Sequence, residues 1–342
     1  MKKNRLGTSN VEISSVGLGT VPLAGFKTKA TYTGFQEVVG AAFESGIRHF
    51  DSAPMYGFGK AEAYLGMAIR ELGIRAEVTV STKVGRVLKP LSRVPRQSSV
   101  YDIDWVDPLP FSDTYDYTYD GIMRSFEDSQ QRLGLDFIDV LLVHDVGRVW
   151  HGDKADIYTE QLRAGGYKAL DELRSTGAVS AIGLGVNETD SVLMVAREFD
   201  LDCSLVAGRY TLLNHEPLAS AFAELQERKV SVIAGGVFNS GILATGTRAD
   251  GLTYDYQSVP EPVLAKVRSI EAVCDDYGVS LAAAAIEFVG MHPAVASVAL
   301  GAQNVEQVEA NVAAASSHAP QEFWNELKIQ GIIPESAPTS VK

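Results

Sequence analysis

From Val16 onward, short β-branched runs that end in Gly, Asp or His alternate with longer segments of helical periodicity. That rhythm is the mark of repeated βα units around a parallel sheet. Eight runs fit it: Val16 to Gly19, Ile47 to Asp51, Val78 to Lys83, Ile138 to His144, Ala178 to Leu184, Cys203 to Ala207, Val230 to Ala234 and Ala296 to Leu300. Helices fit between them at Phe35 to Glu44, Lys60 to Leu72, Tyr119 to Leu133, Gln161 to Ser175, Glu188 to Phe199 and Glu216 to Lys229, then Pro262 to Tyr277 with Ser280 to Val289. Gly46, Gly73, Gly134 and Gly177 stand where helices should close, and Pro217 where one should open.

Eight units favour a barrel over a doubly wound sheet, and 342 residues suit one barrel with insertions. The expected fold class is therefore α/β, a (β/α)8 TIM barrel forming a single domain over residues 1–342. A hairpin at about residues 4–14 would cap its bottom, and a tail would run over about 314–342. Three long loops fall on one face: the 35 residues between Lys83 and Tyr119, Asp145 to Glu160, and Gly236 to Glu261. The first carries Trp105, Phe111, Tyr115 and Tyr117, aromatics costly to leave in water, so it is expected to shape a pocket above the barrel mouth.

Composition removes other classes. A net charge of -13 opposes binding to a phosphate backbone, and Lys2, Lys3 and Arg5 are too few to make a basic patch, so no nucleic-acid partner is expected. The apolar runs are too short to span a bilayer, and no apolar leader follows the N-terminal Met-Lys-Lys, which suggests a cytoplasmic protein without a membrane partner. Cys203 and Cys274 are far apart and belong to no cysteine-histidine cluster, so they should pack as small apolar residues, and no metal is expected.

In a barrel, chemistry sits at the carboxyl ends of the strands. The polar residues ending strands two, three and four are Asp51, Lys83 and His144, with Tyr56 just beyond Asp51. Singly, each has an ordinary structural use as a cap, a solvated cation or a packing ring. Together, a carboxylate, an ammonium, a phenol and an imidazole would converge on one opening. Asp51 would keep Lys83 protonated, Lys83 would lower the Tyr56 pKa, and His144 would orient a substrate oxygen. A phenol that exchanges one proton with a carbinol oxygen suits oxidoreduction, in which a cofactor takes the electrons. No GxSxG elbow or P-loop occurs, and Gly17 to Pro22 fails the GxGxxG pattern at its last position.

The chain resembles the aldo-keto reductases from about Arg5 to Asn311. The resemblance rests on Gly17-Leu18-Gly19-Thr20, the block His49 to Gly57, Glu62 with Leu65-Gly66, the run Ser129 to Asp139, and Gly301 with Glu306-Gln307-Val308 and Asn311. It implies a barrel that binds nicotinamide cofactor and a catalytic tetrad of Asp51, Tyr56, Lys83 and His144. It further implies cofactor contacts from Gly19, Thr20, Asp51, Asn187, Gly235, Gly241, Gly301, Gln303, Gln307 and Asn311. Asn187 would hold the nicotinamide carboxamide. Gly235 stands where many members place a stacking Tyr, a role left to Phe238 or a loop aromatic. The segment Gly301 to Gln307 lacks Lys or Arg and contains Glu306, so NAD is expected over NADP unless a residue such as Arg248 reaches in.

Asp116 to Gly121, Gly235 to Leu243 and Phe323 to Leu327 are similar to a narrower branch of D-threo-aldose (L-fucose) dehydrogenases and pyridoxal 4-dehydrogenases. That branch implies NAD-dependent oxidation of a cyclic hemiacetal to a lactone, with an aldose such as L-fucose or D-arabinose preferred over pyridoxal as the small-molecule substrate. The alternatives are an NADPH-dependent aldehyde reductase and a non-catalytic cofactor-binding regulatory subunit. Arg209 and His215 read more simply as a salt-bridge partner and a surface histidine. Homo-oligomerisation stays open.

Overall fold

The computed structural model describes residues 1–96 and 104–340. Eight parallel strands close a barrel in chain order: β1 Val16–Gly19, β2 His49–Asp51, β3 Thr79–Val84, β4 Ile138–His144, β5 Val179–Val186, β6 Cys203–Ala207, β7 Ser231–Gly235 and β8 Val295–Gly301. Each expected run became a strand, with ends moved by at most two residues. Strand alternation sorts the side chains: Val140 and Leu142 of β4 fill the barrel interior, whereas Leu141 and Val143 face the helical shell.

The pairing Lys3–Arg5 with Glu12–Ser14 makes the expected hairpin, and its Leu6, Val11 and Ile13 pack onto interior residues that include Cys203 and Ile233. This plug is tied to the last strand by Asn4, which donates to the Ala296 carbonyl at 2.7 Å. Both cysteines are buried and free.

The shell consists of α1 Tyr32–Glu44, α2 Lys60–Leu72, α3 Tyr119–Leu133, α4 Tyr167–Ser175, α5 Asp190–Glu198, α6 Phe222–Glu227, α7 Glu261–Tyr277, α8 Leu281–Gly290, α9 Val305–Ala315 and α10 Gln321–Ile329. Gly134 closes α3 at φ +58°, a conformation that favours glycine. The Leu65-Gly66 motif has a packing cause: a Cβ on Gly66 would sit 1.6 Å from the Leu133 carbonyl oxygen, so only glycine lets α2 approach α3. Glu62, on the same helix, is fully buried and accepts from Thr82 at 2.6 Å and Arg132 at 2.5 Å.

Three segments differ from expectation. The helix expected from Gln161 begins at Ala155 and passes through a π turn at Leu162–Gly166, where a Cβ on Gly166 would meet the Tyr117 carbonyl at 2.1 Å. The helix expected over Glu216 to Lys229 breaks at Ala221, whose φ of -130° leaves the helical region, and Phe222 beyond it packs against Tyr210. The tail is no mere extension: α10 buries Phe323, Trp324 and Leu327, and Ile332, Ile333 and Ala337 follow them into the core. No helix among the described residues is long and apolar enough to cross a membrane.

Candidate active site

Parallel register aligns the strand ends: Gly19 pairs Asp51, Asp51 pairs Ser81, Lys83 pairs Leu142 and His144 pairs Gly185. Polar residues ending neighbouring strands therefore meet at one rim. Lys83 Nζ, 1% exposed at the side chain, donates to Asp51 Oδ2 at 2.8 Å, to the Ser52 carbonyl at 2.8 Å and to the Tyr56 hydroxyl at 3.1 Å. Asp51 Oδ1 accepts from Ser81 Oγ at 2.7 Å, and the buried His49 Nε2 lies 3.0 Å from Ser81 Oγ. The Tyr56 and His144 rings meet edge to face, with centroids 6.1 Å apart.

Electrostatics separates the four roles. Burial works against the Lys83 ammonium, but Asp51 and Tyr56 outweigh it and hold its pKa above the ordinary lysine value. Burial likewise pushes the Tyr56 phenol upward, and Lys83 pulls it down without overcoming that cost. This corrects the expectation of a lowered Tyr56 pKa, because removing the phenolate from water costs more than the nearby cation returns. Burial, with Arg86 and Lys83 nearby, drives His144 well below the usual histidine range and leaves it neutral at physiological pH.

A narrow cleft of about 70 Å³ opens above these groups. Its floor and sides include Tyr56, Lys83, His144, Asp145, Gly185 and Asn187, and Phe26, Trp105, Trp150 and Tyr256 supply aromatic walls. Phe26 packs edge-on against Trp105 and Tyr256, with centroids at 6.0 and 5.7 Å, so the loops after β1, β3 and β7 meet over the opening. Of the four aromatics expected in the long loop, only Trp105 lines the cleft. Phe111 and Tyr115 belong to a hairpin of Arg86–Pro90 with Phe111–Tyr115, and Tyr117 is fully buried, its hydroxyl donating to the His144 carbonyl at 2.7 Å. A wider apolar hollow beside Tyr119 and Ile157 shares no residue with this cleft.

Among the expected cofactor residues, Asn187 alone joins the cleft lining, with its Oδ1 accepting from Trp150 Nε1 at 3.2 Å. Thr20 is buried and bonded to the Asp51 carbonyl at 3.0 Å and Ser52 at 3.1 Å. Gly19 and Gly301 pair across β1 and β8, and Gly235 ends β7. Beyond β8, Gln307 Oε1 accepts from the Gln303 backbone at 2.8 Å, and Asn311 donates to the Gly301 carbonyl at 3.1 Å. Gly241, at φ +111°, follows Asn239 and Ser240 in a turn after β7. Arg248 is largely exposed, 3.8 Å from Asp275. Arg209 donates to the Asn187 carbonyl at 2.7 Å and pairs with Asp255 at 3.4 Å, and His215, half-buried against Phe288 and not the surface histidine expected, bonds the Leu212 carbonyl at 3.1 Å.

Residue reasoning missed Arg86, Asp145, Phe26, Trp150 and Tyr256. Asp145 had a signal, since it directly follows His144 at a strand end; Phe26, Trp150 and Tyr256 reach the cleft only through loop geometry, and Arg86 stands behind it on Asp145.

The profile of the Aldo/keto reductase family matches residues 15–330, and the chain belongs to that family. It is 42% identical over 339 residues to pyridoxal 4-dehydrogenase of Microbacterium luteolum, covering 97% of this chain and 98% of that one. It is 36% identical over 297 residues to D-threo-aldose 1-dehydrogenase of a Pseudomonas species, covering 87% and 88%. The fold is shared with an aldo-keto reductase of Bacillus halodurans in its holo form, at TM-score 0.75 and 22% identity, over 100% of this chain and 98% of that one. The chain is thus an oxidoreductase of a family that binds nicotinamide cofactor.

Proposed function

We propose that this protein is an NAD-dependent dehydrogenase that oxidises the hydroxyl of a cyclic hemiacetal, giving the lactone. The observation that carries the reading is the Lys83 ammonium bridging Asp51 and Tyr56 beneath an aromatic cleft. When bound, NAD supplies the acceptor for the hydride of the hemiacetal carbon. Tyr56 takes the hydroxyl proton, Lys83 stabilises the phenolate that forms at the moment of transfer, and neutral His144 orients the reacting oxygen.

The rim supports a dinucleotide. A Cβ at Gly241 would meet nothing within 4 Å, and one at Gly19 only the Leu300 carbonyl at 3.9 Å, which leaves open backbone beside β7 and β1. Asn239, beside Gly241, is buried with neither amide atom hydrogen-bonded among the described residues. Gly19, Thr20, Gly235, Gly241, Gly301, Gln303, Gln307 and Asn311 would follow the dinucleotide along the rim, Asn187 would hold the carboxamide, and Tyr256 would stand in for the stacking ring absent at Gly235. The exposed Glu306 and the lack of a cation from Gly301 to Asn311 favour NAD, because a 2'-phosphate would lack charge-assisted partners.

The aromatic walls Phe26, Trp105 and Tyr256 favour a flat ring, so pyridoxal in its hemiacetal form becomes the preferred substrate, in line with the relative at 42% identity. The aldose reading keeps support from the relative at 36% identity. Reduced-nicotinamide formation with NAD or NADP, against pyridoxal, L-fucose and D-arabinose, tests both. Turnover only with NADPH and open-chain aldehydes would overturn the proposal, and no turnover with any of them would favour the regulatory alternative.

A further inference from the structure

No step of that reaction uses Asp145, yet the residue is held under strain. Its φ of +57° lies in the left-handed region, which a non-glycine residue keeps where its surroundings impose it. Its backbone N–H donates to the Gly185 carbonyl at 2.9 Å. Its buried carboxylate is gripped by Arg86, itself 3% exposed. Arg86 also donates to Asp113 at 2.5 Å and lies over the Trp150 and Tyr115 rings, 4.4 and 4.7 Å from their centroids. The Asp145 oxygen that Arg86 holds is 3.2 Å from His144 Nε2, whereas the buried Nδ1 has no hydrogen-bond partner among the described residues.

A neutral imidazole carries one N–H, and a fixed carboxylate beside one nitrogen decides which nitrogen bears it. We propose that Asp145, clamped by Arg86, is a positioning residue for His144: its negative charge beside Nε2 keeps the ring proton on that nitrogen, the one left to turn to the reacting oxygen because Nδ1 is buried. The clamp matters because a lone carboxylate in so dry a place would be costly to keep ionised. The hairpin begun by Arg86 is therefore the arm that sets the imidazole of β4.

The groups facing this pair are Arg86 and Asp113 from the hairpin, Lys83 from β3, Tyr56, Tyr117 and His151. Burial raises the Asp145 carboxyl to about 6 against the pull of Arg86. Protonating it removes the charge that holds the proton on Nε2, so kcat should fall as pH drops through that value.

The proposal rests on His144 facing the reacting oxygen, and its first test does not need turnover. In resting protein with nitrogen-15 histidine, His144 should be the Nε2–H tautomer, and Asp145→Ser should lose that preference. Asp145→Ser should also lower kcat on the order of 100-fold with KM and NAD affinity unchanged, and should erase the acidic limb of the pH profile. Asp145→Asn, close to isosteric, should recover part of kcat without the limb, and it carries the test if the serine variant does not fold. An Nδ1–H tautomer in the wild type, or full kcat with an intact limb in both variants, overturns the proposal. A failed hemiacetal screen with the tautomer as expected would instead count against the substrate reading alone.

Discussion

Lys83 donates to the Tyr56 hydroxyl at 3.1 Å from the same nitrogen that holds Asp51 at 2.8 Å. The cation is thus committed to a carboxylate before any proton moves, and its hold on Tyr56 strengthens only as phenolate charge develops. Tyr56→Phe should lower kcat by about 10²-fold or more while NAD binding, followed by fluorescence, stays intact. Lys83→Met should differ in kind. It leaves Asp51 buried without its cation, so denaturant unfolding should show a loss of about 3–5 kcal/mol alongside lost activity.

Cofactor choice is testable at α9. Wild-type protein should prefer NAD in kcat/KM, and Glu306→Arg should raise kcat/KM with NADP by about tenfold, the worth of roughly 1.4 kcal/mol from one charge-assisted contact. The gain should shrink with added salt. An unchanged NADP rate would show that the 2'-position lies elsewhere.

Trp105 should separate the two substrate classes. Trp105→Ala removes a wall of the cleft, and loss of aromatic stacking worth about 1 kcal/mol should raise KM for pyridoxal roughly fivefold. Equal changes with an aldose would argue against ring stacking as the source of preference.

Acid should weaken the fold through its buried His49 and the half-buried His151 and His215. Burial pulls His49 down to about 4, and His151 and His215 likewise. The unfolded chain takes up these protons near pH 6.5 and the folded chain only near 4, so stability is full above 6.5 and falls between the two. His49 alone accounts for a loss on the order of 3 kcal/mol by pH 4. Calorimetry across that window should show a falling Tm; a flat Tm would contradict neutral burial.

Trp324 anchors the tail, packed edge-on against Phe323 at 4.8 Å and near Phe288 at 6.2 Å. Trp324→Ala should cost about 3–5 kcal/mol in urea unfolding.

The strands β1, β4 and β6 were readable to the residue, because β-branched runs bounded by polar strand ends are local signals. Asp51, Lys83 and His144 were readable for the same reason: parallel register makes a strand end a shared address. The aromatic walls were not, since Phe26 and Tyr256 are separated by most of the chain and meet only through loops. Nor was the hairpin of Arg86, whose strands pair across a long gap in sequence. The direction of the Tyr56 shift also lay beyond sequence, because it depends on how fully the phenol is buried, a quantity that no neighbouring residue name reveals.

Barrel closure joins β8 to β1, with Gly301 beside Gly19 and Val298 beside Val16. The first stave of the barrel therefore waits for the last. During synthesis β1 emerges early with one edge bare, and no ribosome can release a sealed barrel until nearly the whole chain is made. Contacts so distant in sequence slow folding and leave open strand edges exposed to other nascent chains. Production at reduced temperature or with chaperones should accordingly raise the soluble yield more than any change at the cleft.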